Sequence, residues 1–481
     1  MSWNDFATGY GMLAVEMAMI TLALLVLALG LLSPVSGRKV SIHVVLLGLV
    51  AITAWHLWRF FDCANLFGGI YQIDVFSNFF KLLILVALVI IVLCSATFID
   101  KIVAQKTEFY GFMIFAALGM MVLSSAGDLI TLYVGLELMT VSFYILVGYC
   151  YEDQRSAEAG LKYLILGAIG SAFLLLGMSY IVALTGTTII GEMAAVITLQ
   201  PALIAGVVMM LAGFVFKVGL IPFHMWVPDI YEGAPTPVTM FLSVASKAVA
   251  FAAMVRVFLL AFPEVGAWLN WQPLLAGMAA LTIIAANMMA IPQTNAKRML
   301  AYSSIAQAGY IILGLIAANH YGMQGLLYYS MLYVFSNLGA FAVVSLVETE
   351  AGNSDFSSMA GLGRRSPFLA AVMSICLLSL AGIPPLAGFV GKLYLFTGVV
   401  QAGYLWLAFV GLVMSMISAY YYLNFAKVMY ADEAINAEKV KVKGMSLIGL
   451  WVCLLGTIFL GVYPGPLADI AGKAIQIFAG L

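Results

Sequence analysis

A succession of apolar runs, each about 20 residues long, constrains this chain before anything else does. At 1.5 Å per helical residue, a run of that length crosses a hydrocarbon core of roughly 30 Å. The runs lie near 11–32, 40–60, 75–99, 108–126, 129–150, 160–184, 201–221, 237–262, 272–291, 299–318, 322–347, 367–398, 402–430 and 446–463. They predict an all-α polytopic membrane protein of about fourteen transmembrane helices, followed by a short amphipathic tail, Pro464–Leu481. The chain is 64% hydrophobic and 9% charged over 481 residues, which excludes soluble globular and disordered classes. No ten-residue alternation of apolar and polar positions appears, so a β-barrel is excluded as well.

The placement of cations gives an orientation. Loops after odd-numbered helices hold Arg38, Lys39, Lys101, Lys106, Arg155, Lys297, Arg298, Arg364, Arg365, Lys439, Lys441 and Lys443. The other side holds little beyond Arg59 and Lys473. Basic loops stay in the cytoplasm, so both termini are predicted on the periplasmic side of a bacterial inner membrane. The first eleven residues carry no Lys or Arg, so there is no signal-peptide n-region and the first helix is expected to remain as a span. The five cysteines (Cys63, Cys94, Cys150, Cys376 and Cys453) are far apart in sequence and form no CxxC. The four histidines have no metal-ligand spacing, and neither a Walker loop nor a GxGxxG fingerprint occurs. No cofactor bound by this chain is expected, and no nucleic acid partner.

Within this apolar background, Phe214–Arg256 stands out. Lys217 and Lys247 lie in membrane-helix sequence, and Gly219, Pro222, Pro228, Gly233, Pro235 and Pro237 break the stretch between them. A cation at bilayer depth costs about 2.5–3.5 kcal/mol on the mildest scale. Broken backbone at that depth is tolerated only against protein or a water-filled cavity. A second break, LSLAGIPPLAGFVGKLYLF (378–396), repeats the glycine and Ile-Pro of Val218–Pro222 and carries Lys392. The breaks fall in helices 7 and 12, five helices apart, so their units face opposite ways. That predicts an inverted repeat of two five-helix units with interrupted helices at the ion site. The expected divisions are helices 1–3 (1–106), the first repeat (107–265), the second (270–431), and a closing loop, helix 14 and tail (432–481).

Glu137 in helix 5, with Lys217, Lys247 and Lys392, forms a candidate proton-transfer row near the midplane. Burial of an amine disfavours its charged form, whereas a nearby carboxylate favours it. Moving Glu137 relative to Lys217 would therefore switch that lysine between holding and releasing a proton. Ser243, Ser246, Tyr421 and Tyr422 are candidate helpers beside water, with plain packing as the default for Tyr420–Tyr422. The competing reading makes each lysine a structural ion-pair partner. His224, just past the first break, either gates proton access or caps a loop. Glu158 and Lys162, four apart at the start of helix 6, form an intrahelical pair that either couples or merely anchors. Asp229 and Glu232 either draw protons to the opening or cap helix ends, capping being the expectation. Arg256 and Lys81 are expected to snorkel to the headgroups.

The wording FKVGLIPFHMWVPDIYEGAPTPVTMFLSVASKAVAF resembles the antiporter-like, proton-translocating membrane subunits of respiratory complex I (NADH-quinone oxidoreductase). VPDIYEGAPTPVTMFLSVASK is closer to the subunit N branch than to L or M, and QTNAKRMLAYSSIAQAGY and LSLAGIPPLAGFVGK resemble the same family. The similarity spans nearly the whole chain. It implies a fourteen-helix fold with the inverted repeat, and proton-transfer roles for Glu137, Lys217, Lys247 and Lys392. The family's acid–lysine pair falls on Glu158 and Lys162. The resemblance also implies that NADH, FMN, iron–sulfur clusters and quinone sit on other subunits. The implied partners are neighbouring complex I membrane subunits, other antiporter-like ones among them, and the lipid bilayer. The alternatives are a subunit of a multisubunit cation/proton antiporter or of a membrane-bound hydrogenase, and a scaffold without conduction.

Overall fold

The computed structural model describes residues 11–32, 34–102, 105–198, 200–262, 270–434, 439–440, 442 and 444–478. The side chains of Arg38 and Lys39, and all of Lys441 and Lys443, lie outside the described residues. Fourteen expected spans appear as α1 (Ala14–Leu32), α2 (Pro34–Trp58), α3 (Val75–Ile102), α4 (Lys106–Ser124), α5 (Leu129–Val147), α6 (Gln154–Thr185), α7 (Pro201–Val218), α8 (Thr236–Leu260), α9 (Trp271–Ala290), α10 (Ala296–Ala317), α11 (His320–Ala351), α12, α13 (Leu405–Ala431) and α14 (Met445–Val462). α12 is made of two limbs, Pro367–Ala381 and Ala387–Gln401. Thirteen of these helices are singly long and apolar enough to cross a membrane. Each α12 limb has 15 residues, about 22 Å, and spans only together with the other.

The breaks have local causes. Gly219 and Gly382 end α7 and the first α12 limb in the left-handed region, at φ 76° and 86°, where an L side chain is disfavoured. Pro222, and Pro384 with Pro385, then stop either helix from resuming at once. The segment after the α7 break is partly a helix, Trp226–Gly233. Its Trp226 donates to the Phe216 carbonyl at 2.9 Å and stacks between Tyr163 and Phe216, which ties the two sides of the break together. The Ile221 amide donates to Thr282 of α9 at 3.0 Å, so broken backbone is satisfied inside protein.

The most extensive helix packings are α4 on α5, α6 on α7, α9 on α10, and α11 on the second limb of α12. Adding five to each number in the first two pairs gives the last two, as a five-helix repeat requires. α8, α10 and α11 form the centre and are buried almost throughout. A π-helical turn, Leu242–Ser246, interrupts α8 directly before Lys247 and had no clear sign in the sequence.

Arg256 and Lys81 do not snorkel. A small hairpin, β1 (Ala64–Leu66) and β2 (Tyr71–Ile73), lies between α2 and α3. It presents Gln72, and Asp74 just beyond it, to Arg256 at 2.6 and 2.9 Å. Lys81 pairs with Glu16 of α1 at 2.6 Å. Both cations are 2% exposed, so each is neutralised inside the bundle instead of reaching water.

Candidate functional site

The three midplane lysines are buried, at 5%, 3% and 4% exposure for Lys217, Lys247 and Lys392. Lys217 lies in the last turn of α7, where the helix C-terminus favours a cation. Its Nζ donates to Thr140 Oγ1 of α5 at 2.8 Å. Glu137 stands one turn before Thr140; its charge reaches Lys217, but the two form no direct ion pair among the described residues. Glu137 Oε1 is buried and accepts no hydrogen bond there. The structure thus brings Glu137 and Lys217 into one electrostatic neighbourhood, with a threonine hydroxyl taking the ammonium.

Lys247 donates to the Oγ and carbonyl of Ser304 on α10, at 2.7 and 3.2 Å, and its Nζ lies 5.6 Å from the Tyr231 ring centroid. Lys392 projects from the second α12 limb back to the end of the first. It donates to the carbonyls of Leu380 and Ala381, both at 3.0 Å, and to Ser415 Oγ at 2.8 Å. Those carbonyls are freed by the helix break and favour a cation. Lys392 borders a cavity of about 400 Å³ lined mainly by apolar groups such as Ile383, Phe389 and Met416.

α10 links the two lysines. Ser303, Ser304, Gln307 and Tyr310 recur along it at helical spacing. Tyr422 Oη and Ser303 Oγ are 2.5 Å apart, and Gln307 bonds Tyr422, Tyr329 and the Leu380 carbonyl. Tyr422 is therefore a network member, whereas Tyr421 bonds Asn287 and Tyr420 is exposed. Ser243 accepts from Asn337 of α11, and Ser246 turns back to its own helix. The network role of these α10 side chains is not evident from residue type alone. The signal available was a polar face on an otherwise apolar span.

A second cluster sits where α6 and α10 begin. Lys162 pairs with Glu158 at 2.7 Å, as its spacing predicts, and also with Asp229 at 3.0 Å. Arg298 of α10 bonds Asp229 and Glu232 at 3.0 and 2.9 Å. Asp229 and Glu232 are ion-pair partners here, and neither caps a helix. Burial pushes the Asp229 carboxyl up, but Lys162 and Arg298 outweigh it and hold the group below its ordinary value of 3.8. These groups line a cavity of about 250 Å³. His224 lies in the break, half-buried, apart from the midplane lysines' hydrogen bonds.

Residues 126–418 match the family model described as NADH:quinone oxidoreductase/Mrp antiporter, TM. The chain belongs to this family. Among its relatives, the NADH-quinone oxidoreductase subunit N of Desulforamulus reducens is 48% identical, covering 98% of each chain. That of Heliobacterium modesticaldum is also 48% identical, over 97% of this chain and 99% of its own. Among solved structures, a chain of respiratory complex I from Thermus thermophilus with bound Aureothin superposes with TM-score 0.82 at 32% identity, covering 95% of this chain and 99% of that one. A chain of the archaeal membrane-bound sulfane sulfur reductase gives TM-score 0.88 at 26% identity, covering 96% of each. The antiporter-family fold therefore extends beyond residues 126–418, since these structural matches cover 95% and 96% of the chain.

Proposed function

We propose that this chain is the proton-translocating membrane subunit of an NADH:quinone oxidoreductase, and that Glu137, Lys217, Lys247 and Lys392 carry its protons. One observation supports the relay above the structural ion-pair reading. Six Lys and Arg residues are buried among the described residues. Lys81, Arg256 and Lys297 each pair with a carboxylate, on Glu16, Asp74 and Glu348. Lys217, Lys247 and Lys392 are held only by hydroxyls, carbonyls and rings. Neutral acceptors leave an amine free to lose its proton, whereas a contact carboxylate would hold it charged.

Glu137 supplies the adjustable charge at the first lysine. Protons reach Lys217 beside the α7 break, pass to Lys247 across the π turn, then along α10 to Lys392 and the α12 break. Each charge moved against 100 mV requires about 2.3 kcal/mol, which quinone reduction elsewhere in the complex provides. NADH, flavin, iron–sulfur clusters and quinone belong to partner subunits in this reading, and the chain carries no redox centre. The units 107–265 and 270–431 are its two halves, with both termini periplasmic. Glu158 and Lys162, linked through Asp229 to α10, serve coupling, and His224 lies where access to the α7 break is controlled.

The test is proton pumping by the intact complex in sealed vesicles, with assembly verified. Lys217→Ala and Lys247→Ala should assemble and yield fewer protons per NADH oxidised than wild type. Wild-type yield in both assembled variants would sink the relay.

A further inference from the structure

Between Lys247 and Lys392 stands Gln307, whose carboxamide does not titrate. Gln307 is 1% exposed, one helical turn beyond Ser303 and Ser304. Its Nε2 donates to the Leu380 carbonyl at 3.0 Å and to Tyr422 Oη at 3.3 Å. Its Oε1 accepts from Tyr329 Oη at 2.6 Å. The Leu380 carbonyl is the one that also receives the Lys392 ammonium, at 3.0 Å.

The direction of these bonds matters more than their continuity. Proton hopping needs each group to accept on one side and donate on the other. A carboxamide donates only through nitrogen and accepts only through oxygen. Here both nitrogen contacts run outward, and the Leu380 carbonyl receives donors from both sides. Two donors facing one acceptor interrupt the path between Tyr422 and Lys392. The same amide satisfies a backbone carbonyl that the α12 break sets free, so the barrier is fastened to the interrupted helix.

We propose that Gln307 is the gate between the Lys247 and Lys392 halves of the path, closed while its amide holds the Leu380 carbonyl. This rests on the lysine-relay reading. Opening is withdrawal of that amide, which exposes the Leu380 carbonyl and the Lys392 ammonium to water or to Tyr422. Gln307 is a positioning residue here, since the proton never resides on it.

The test compares wild type with Gln307→Glu, Gln307→Ala and Lys392→Ala in the assembled complex in sealed vesicles. Two quantities are read: proton yield per NADH oxidised, and decay of an imposed pH gradient without substrate. Gln307→Glu keeps the side-chain volume and the acceptor for Tyr329, but a carboxyl can take a proton on one side and release it on the other. It should speed gradient decay several-fold and lower the proton yield. Gln307→Ala should act in the same direction by admitting water. Should the alanine variant not assemble, the near-isosteric Gln307→Glu decides. Wild-type tightness and yield in the assembled Gln307 variants, with Lys392→Ala defective, would overturn the gate and leave the relay standing. Wild-type yield in Lys392→Ala would instead remove the relay on which the gate depends.

Discussion

At the residue scale, a buried charge means different things according to what faces it. Arg256 has Asp74, Gln72 and the Ser124 carbonyl around it, a set of acceptors that holds the guanidinium by charge-assisted hydrogen bonds. Replacing it with Met leaves Asp74 with an uncompensated charge, which should destabilise the bundle by about 3–5 kcal/mol. A lowered midpoint for thermal unfolding of the purified complex would show this, with proton yield per NADH unaltered in whatever complex remains folded. An unchanged midpoint would mean the pair contributes nothing. The types and depth of Lys217, Lys247 and Lys392 were legible in the sequence. Their partners were not, because Thr140, Ser304 and Ser415 are brought to them by helices 77, 57 and 23 residues away in the chain. Arg256 and Lys81 were misread for the same reason: Asp74 and Glu16 are remote in sequence, and a cation without a visible partner reads as one that must reach water.

At the scale of elements, α10 carries two jobs at two depths. Its first turn pins the helix Trp226–Gly233 through Arg298 with Asp229 and Glu232, and Lys297 adds a bond to the Ala234 carbonyl at 2.8 Å. Further along, Ser304 and Gln307 hold the lysine network. A shift of the helix after the α7 break is therefore mechanically linked to the midplane. The Asp229 contacts should be insensitive to acidification from pH 7 to pH 5. The folded carboxyl titrates below its unfolded value of 3.8, so its contribution is full above that value and is lost only as pH falls through the lower folded one. Hydrogen exchange in residues 226–233 should accordingly be equally protected, after correction for intrinsic rates, at pH 7 and pH 5. In Asp229→Asn it should be less protected at both. Equal protection in wild type and variant would show that the ion pairs do not hold this helix. The breaks themselves were readable, since a glycine followed within three residues by Ile-Pro has few other uses in a membrane helix. The π turn was not, because Leu242–Ser246 has ordinary helix-forming neighbours and departs from α geometry only in its packing, with Asn337 bonded to Ser243.

At the scale of the molecule, alternation of the spans and the basic loops predict one topology, and the repeat makes that topology consequential. If α7 and α12 run in opposite directions, one break serves one membrane face and the other its opposite. A miscount by a single helix would turn both breaks to the same side and remove alternating access. The count was legible because each apolar run is long and each loop short. Helix 12 alone needed two limbs to be joined, and its Gly-Ile-Pro turn supplied the reason. The arrangement predicts labelling by a membrane-impermeant maleimide. Glu152 lies in the α5–α6 connection and Glu192 in the α6–α7 connection, and both are exposed. In a Cys63→Ser background, which removes the one exposed thiol among the described residues, Glu152→Cys should label only from the cytoplasmic face. Glu192→Cys should label only from the periplasmic face. Labelling of both from one face would break the alternation between α5 and α7, and with it the opposed breaks on which transfer from one side to the other depends. Reversal of both would keep the repeat intact and instead invert the positive-inside assignment, placing the Asp229–Arg298 cluster at the outlet and Lys392 on the side of uptake.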